Sequence, residues 1–185
     1  VAFSANAVIR DFEYGTAELF LSRPIPKFDY VYGRFAGTLI FAYIIFFAAL
    51  LGMMVGEFMP WLDQERLGDF SLSAYVYAVL VLGIPSLFVL SSLFFFIATL
   101  TRSMLWTYVG VVVLLMLSLV LDTFTEKETV ELTSILDPFG TTAIEEATRY
   151  WTAFEKNTQL PELQGPLVAN RLFWLTIGLV SCIGA

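Results

Sequence analysis

Few residues in this chain can do covalent or redox chemistry, and their types exclude whole classes of it. The 185 residues include no histidine and a single cysteine, Cys182. Without histidine there is no Ser–His or Cys–His nucleophile pair and no His-based zinc site. A single thiol makes no internal disulfide, and Cys182 lies in an apolar run, where a thiol packs as a small hydrophobe. No Gly-x-x-x-x-Gly-Lys-Ser/Thr loop is present to cradle a nucleotide phosphate, and no His-Glu-x-x-His. Glu126, Glu128, Glu131, Glu145 and Glu146 are the densest set of hard ligands, and their polar setting reads as a solvated face rather than a cation site. No catalytic, cofactor-binding or metal-ligating residue is therefore expected. What remains is recognition. The stretch Arg10–Arg34, RDFEYGTAELFLSRPIPKFDYVYGR, holds four of the ten basic residues: Arg10, Arg23, Lys27 and Arg34. Within it, Gly15–Leu21 is the size of a short helix, closed by Ser22, Arg23 and Pro24. A short amphipathic piece beside a membrane span is suited to docking a soluble partner.

The elements that would position this stretch are membrane spans. The chain is 58% hydrophobic with a mean hydropathy of +0.76, and only 15% of it is charged. Charges cluster between long uncharged runs, which is a membrane-protein pattern. The spacing predicts spans over 35–56, 73–101, 103–121 and 172–185, the last cut short, with Val1–Ile9 as the tail of an earlier one. Gly37 and Gly52 are expected to allow close helix approach. Pro85 removes the hydrogen bond to Val81 and is a candidate hinge. Thr101-Arg102-Ser103 is too short for anything but a tight helical hairpin, with Arg102 as a headgroup anchor. The fold class is all-α and polytopic. One transmembrane domain over 1–185, truncated at both ends, is expected.

The long polar segment 122–170 has its own signals. Glu126–Leu136 can form a short helix, and Asp137-Pro138-Phe139-Gly140 reads as a turn. Thr142 with Glu145 matches a capping box. A single amphipathic helix over Thr142–Phe154 would then lie in the interface plane, with Ile144, Ala147, Trp151 and Phe154 on its apolar face. Asn157–Pro166 must be loop.

Lysine and arginine are retained on the cytoplasmic side, so their distribution gives the orientation. Arg10–Arg34 and Arg102 fall on one side with five basic and four acidic residues; the other side carries five basic and thirteen acidic over about twice the length. Residues 10–34 are therefore expected in the cytoplasm and 122–170 outside. The net charge of −7 comes from those loops, and the absence of a basic stripe excludes nucleic acid as a partner. The full-length spans lack charge, so no ion-coupling carboxylate is visible. Energy for transport would have to enter from a partner.

The Arg10–Arg34 stretch resembles the cytoplasmic loop of type-2 ABC transporter permeases, where a D-x-E-x-G-T-x-E-x-L-x-S-x-P pattern joins two membrane helices. Here it appears as Asp11, Glu13, Gly15, Thr16, Glu18, Phe20 or Leu21, Ser22 and Pro24, followed by Gly33-Arg34 opening the next helix. A proline in the next span and a Thr-Arg-Ser turn look like Pro85 and Thr101-Arg102-Ser103. The segment LDPFG…ATRYWT…EKNTQLP…NRLFW is similar to one branch of these permeases, some members of which carry a fused zinc aminopeptidase domain. The resemblance implies a fragment of a six-helix permease domain in a bacterial inner membrane, most simply an exporter. It implies a separate ABC ATPase that holds ATP and magnesium, and a second permease copy or paralogue in the bilayer. The ATPase contact would be Glu13, Gly15, Thr16, Glu18, Leu19, Phe20 and Ser22, with Thr16 capping a coupling helix and Leu19 and Phe20 as its apolar face. The alternative is a non-transporting anchor or regulatory module of an associated peptidase. A pore is disfavoured for want of a filter-like lining.

Overall fold

A computed structural model describes residues 6, 9–10, 14–15, 26–60, 70–123 and 130–185. The regular structure among them is helical throughout. Helix α1 spans Lys27–Gly56, α2 Leu72–Tyr77, a π-helical stretch Ala78–Gly83, α3 Ile84–Thr101 and α4 Met104–Thr123. Three short helices follow, α5 Val130–Leu136, α6 Thr141–Ala147 and α7 Ala153–Thr158, and then α8 Pro166–Gly184. Four stretches are long and apolar enough to cross a membrane: Phe28–Gly56, Leu72–Thr101, Met104–Leu121 and Pro166–Gly184. The chain is an all-α, polytopic membrane protein.

Helix α1 begins at Lys27, well before the apolar edge at Phe35. Its 30 residues reach about 45 Å, more than the roughly 30 Å of hydrocarbon. Pro26 precedes it with φ −56°, a value its ring imposes, and Asp29 places a negative charge in the first turn, where the helix dipole favours it. Arg34 lies over the Tyr30 ring at 4.9 Å, and Phe28 stacks on Tyr32 at 6.2 Å. These polar residues end the hydropathy but not the helix. Gly33-Arg34 accordingly sits two turns inside α1 rather than opening it. The buried Phe35 docks α1 on α3, 5.2 Å from the Phe95 ring and 6.4 Å from that of Phe88. Gly37 and Gly52 do not mediate close approach: nothing lies within 4 Å of a Cβ built on either. Ile40, Ile44 and Leu51 are exposed, as lipid-facing side chains are.

Pro85 has the local consequence its chemistry requires. It cannot donate to the carbonyl of Val81, and its ring crowds that carbonyl. The helix responds by widening into the π-helical turns Ala78–Gly83 immediately before it, then resumes as α3 with the proline in its first turn. The Phe46 ring of α1 lies against Gly83, where a side chain would collide with it.

Helix α3 ends at Thr101, with Arg102 as a left-handed cap at φ 50° and its N–H donating to the Ala98 carbonyl at 2.9 Å. Chain direction then reverses into α4, and the expected hairpin forms, the Phe94 and Ile97 side chains of α3 lying against Gly110 of α4. The most extensive packing is between α3 and α8. These two run parallel: Ser86 meets Arg171, Val89 meets Gly178, and Phe96 meets Gly184. A Cβ on Gly178 would come to 3.2 Å from the Val89 Cα, so the two backbones approach closely there and a side chain would press on Val89. Val89, Phe94, Phe95, Ala98 and Trp174 are buried around this approach.

Helix α8 corrects the expected last span. It starts at Pro166, not at 172, and has 19 residues. Proline is suited to the first turn of a helix, where a missing N–H costs nothing. Asn170 and Arg171 therefore lie in the second turn of a spanning helix, and both are buried.

Candidate functional site

Where α8 meets the polar segment, a set of buried polar side chains forms one hydrogen-bonded knot. The Asn170 amide Nδ2 donates to three backbone carbonyls, Ser134 at 2.7 Å, Ile135 at 3.0 Å and Asp137 at 2.8 Å. The last carbonyls of a helix have no partner within it, and Asn170 supplies one for the C-terminal end of α5. Its Oδ1 accepts from Arg171 Nε at 2.9 Å and Nη2 at 2.6 Å. Arg171 Nη1 crosses to α3 and donates to Ser86 Oγ at 2.9 Å. The guanidinium is 7% exposed at residue level, and the negative charge of Asp137 acts favourably on it. A buried charge needs its hydrogen bonds made and its charge compensated, and here the guanidinium donates to Asn170 and Ser86 in the field of Asp137.

Asp137 organises the other half of the knot. Oδ1 accepts from the Phe139 N–H at 3.0 Å, which closes the Asp-Pro-Phe-Gly turn. Oδ2 accepts from the Thr142 N–H at 2.9 Å and from the hydroxyls of Thr141 at 2.8 Å and Thr142 at 3.1 Å. Asp137 thus caps α6 from outside it. This overturns the expected Thr142–Glu145 capping box: the Thr142 hydroxyl is buried and spent on Asp137. Gly140 enters α6 with φ +78°, and a Cβ there would lie 2.0 Å from Arg171 Nη2. Glycine is required on both counts.

The single amphipathic helix expected over Thr142–Phe154 is two helices. Thr148 returns its hydroxyl to the Ile144 carbonyl at 2.9 Å and leaves helical geometry at φ −108°. A second Thr-x-x-Glu then starts α7. The Glu155 N–H donates to Thr152 Oγ1 at 3.3 Å, while Glu155 Oε2 accepts from the Thr152 N–H at 2.7 Å and its hydroxyl at 2.9 Å. The backbone N–H foremost, then the hydroxyl, holds the Glu155 carboxyl below the ordinary glutamate range. A depressed carboxyl stabilises the fold above its unfolded pKa, and that contribution disappears as pH falls through the folded value. Protection of the α7 amides, taken relative to the intrinsic exchange rate at each pH, should therefore be flat from neutral pH downward and fall only below about pH 4. Protection that persists unchanged in strong acid would exclude a stabilising role for this cap. A cleft of about 580 Å³ lies nearby, lined by residues including Trp151, Gln159 and Pro166. Two of its polar groups satisfy each other, Gln164 Nε2 donating to Glu162 Oε2 at 2.7 Å.

The residues singled out from sequence are placed unevenly. Of the ATPase-contact set, Gly15 is described, with φ +65°; Glu13, Thr16, Glu18, Leu19, Phe20 and Ser22 lie outside the described residues. Beside Gly15, Arg10 lies over the Tyr14 ring at 5.8 Å, and the Tyr14 N–H donates to the Arg10 carbonyl. Glu126, Glu128 and Trp61 also lie outside the described residues. Glu145 is exposed, and Glu146 pairs with Arg149 at 3.4 Å. Among the described residues no three His, Cys, Asp or Glu side chains cluster as a metal site would require. Pro85 is next to the knot, through Ser86. Asn170 and Arg171 fall just before the span expected over 172–185. The available signal was Pro166, whose fitness for a first turn places both residues inside the helix.

Four helices long and apolar enough to cross a membrane, and a buried polar knot that ties the polar segment to the bundle, define an integral membrane protein. The profile of the ABC-2 family transporter proteins matches residues 1–178, and the chain belongs to that family. It is an integral membrane protein and the permease component of an ABC transporter, a family that normally works with an ABC ATPase subunit. No match was found among curated proteins or among solved structures.

Proposed function

We infer that this chain is the membrane subunit of an ATP-driven exporter and is energised by a separate ATPase docking on residues 10–34. The observation that carries the reading is the family match over residues 1–178 together with the Asp11–Pro24 pattern inside it. In this reading residues 10–34 face the cytoplasm of a bacterial inner membrane, and 122–170 face outward. ATP and magnesium sit on the partner, and a second permease copy or paralogue completes the transport path. The resemblance of 136–174 to the branch in which some permeases carry a fused zinc aminopeptidase supports kinship with that branch.

The fold supports a mechanical route. Pro26 caps α1, which is one unbroken rod from Lys27 to Gly56. A displacement at its start is delivered to α3 through Phe35 against Phe88 and Phe95. Closure of the ATPase would thus rock packed helices rather than dissipate in a loop. Small interfaces depend on a few anchors, and truncating one commonly costs about 2 kcal/mol or more. Replacing Leu19 and Phe20 together by Ala should leave membrane insertion intact, abolish stimulated ATP hydrolysis and prevent co-purification of the ATPase. A double variant that still binds and stimulates its ATPase would remove this loop as the coupling element, and would favour the peptidase-anchor alternative if no transport can be driven.

A further inference from the structure

The break in the second spanning stretch is held from two sides. The π-helical turns Ala78–Gly83 and Pro85 interrupt the regular ladder of Leu72–Thr101 at one level. At that level Tyr43 of α1 donates its hydroxyl to the Ile84 carbonyl at 3.1 Å. From a second neighbour, Arg171 of α8 donates to Ser86 Oγ at 2.9 Å. Residues 84, 85 and 86 are consecutive, so the two bonds bracket the proline. They come from elements with different loyalties. Helix α1 continues from the 10–34 loop, whereas α8 is tied to the polar segment by the three bonds of Asn170 to carbonyls at 134, 135 and 137.

The bond to Ser86 is also built to be released. Arg171 makes two of its bonds to Asn170, its own neighbour on α8, and these travel with α8. Only Nη1 reaches α3. If the helix straightens or bends at Pro85, Ser86 leaves while the guanidinium keeps two donors satisfied and stays beside Asp137. Release costs one charge-assisted hydrogen bond rather than a stranded buried ion. A π-bulge next to a proline is a place where a helix has alternative hydrogen-bond registers.

We propose that Tyr43 and Arg171 are positioning residues of the transport cycle, which hold the Pro85 joint in one bend through Ile84 and Ser86. The proposal deepens the permease reading and rests on it for the word cycle, but the joint itself can be measured without the ATPase. Leu72 and Leu100 are exposed at the two ends of the stretch, about 40 Å apart along a helix. Spin labels at both, in a Cys182→Ser background in lipid nanodiscs, report the bend as a distance. Ser86→Ala and Tyr43→Phe each remove one partner with little change of shape.

In the permease alone, each variant should broaden the narrow unmodified distance distribution and add a second distance. In the complex with its ATPase, ATP and vanadate should drive the unmodified protein to that same second distance. Basal ATP hydrolysis should rise roughly three- to tenfold in the variants, the order expected from losing one ordinary hydrogen bond of the resting state. A merely structural role would lower hydrolysis, not raise it. Unchanged distances in both variants would overturn the proposal, as would an ATP-bound state with the resting distance. If no ATPase associates, the transport reading falls, and the distances in the permease alone still decide whether these two bonds hold the joint.

Discussion

Asn170→Asp should cost at least about 3 kcal/mol and release the polar segment from the bundle, although the two side chains have the same shape. The amide Nδ2 supplies hydrogens to the carbonyls of Ser134, Ile135 and Asp137, all between 2.7 and 3.0 Å. Aspartate replaces that donor with an acceptor. Three carbonyl oxygens would then face a carboxylate oxygen, and the C-terminal end of α5 would lose its partner. Arg171 would still have a carboxylate to donate to, so its own bonds would survive. The variant separates the two roles of Asn170. Thermal unfolding in nanodiscs should show the loss, and hydrogen exchange should localise it to residues 130–147. A variant with unperturbed exchange there would mean that the carbonyls find water instead. Buried carbonyls of this kind cost about 1–3 kcal/mol each when stranded, which is why the effect should exceed that of any single surface change.

Gly140→Ala should be comparably damaging, for steric reasons. Its φ of +78° is a conformation in which a side chain costs about 1–2 kcal/mol. The new methyl would also stand 2.0 Å from Arg171 Nη2 and 2.7 Å from its Cζ, so the guanidinium must leave its place. Eviction strips it of the bonds to Asn170 and Ser86. If that is the mechanism, the damage depends on the arginine being there. In an Arg171→Met background the same substitution should cost only its backbone strain, and the two changes should fall short of additivity by about 1 kcal/mol or more. Strict additivity in a double-mutant cycle of unfolding would show that Gly140 and Arg171 do not share this space.

The parts of the fold that hydropathy controls were legible in the sequence. Long uncharged runs can only be spans, and the three-residue link at Arg102 can only be a hairpin. The Asp-Pro-Phe-Gly turn and the disturbance at Pro85 follow from local backbone chemistry. What was not legible depended on competition between equivalent local signals. Thr142–Glu145 and Thr152–Glu155 are both Thr-x-x-Glu, and nothing local says that a distant carboxylate, Asp137, has already claimed Thr142. Helix α1 overran its apolar edge because a helix ends where hydrogen bonding stops, not where hydropathy does. Asn170 and Arg171 look like boundary residues because their burial is worthwhile only with partners far away in the chain, the Asp137 carbonyl 33 positions from Asn170 and Ser86 85 positions from Arg171. The docking role proposed for residues 10–34 rests on resemblance and not on local signals, since Glu13, Thr16 and Glu18 have an equally good local role in a solvated loop.

Helix α8 carries an arginine and an asparagine into a spanning segment, and this bears on how the protein is made. An arginine in a membrane helix raises the free energy of insertion by about 2.5–3.5 kcal/mol when nothing is there to receive it. Here the receiving groups are synthesised first. The carbonyls at 134, 135 and 137 and the Asp137 carboxylate leave the ribosome 33 to 36 residues ahead of Asn170. At ordinary elongation rates that is a lead of about 2–7 s, ample for α5, the turn and α6 to form. Ser86 precedes by more still. The last helix therefore enters a membrane in which its polar partners are already waiting, and its insertion depends on what has folded before it. A lesion at Asp137 or Gly140 would then appear first as a failure of α8 to integrate, during synthesis, before any finished protein exists to be destabilised.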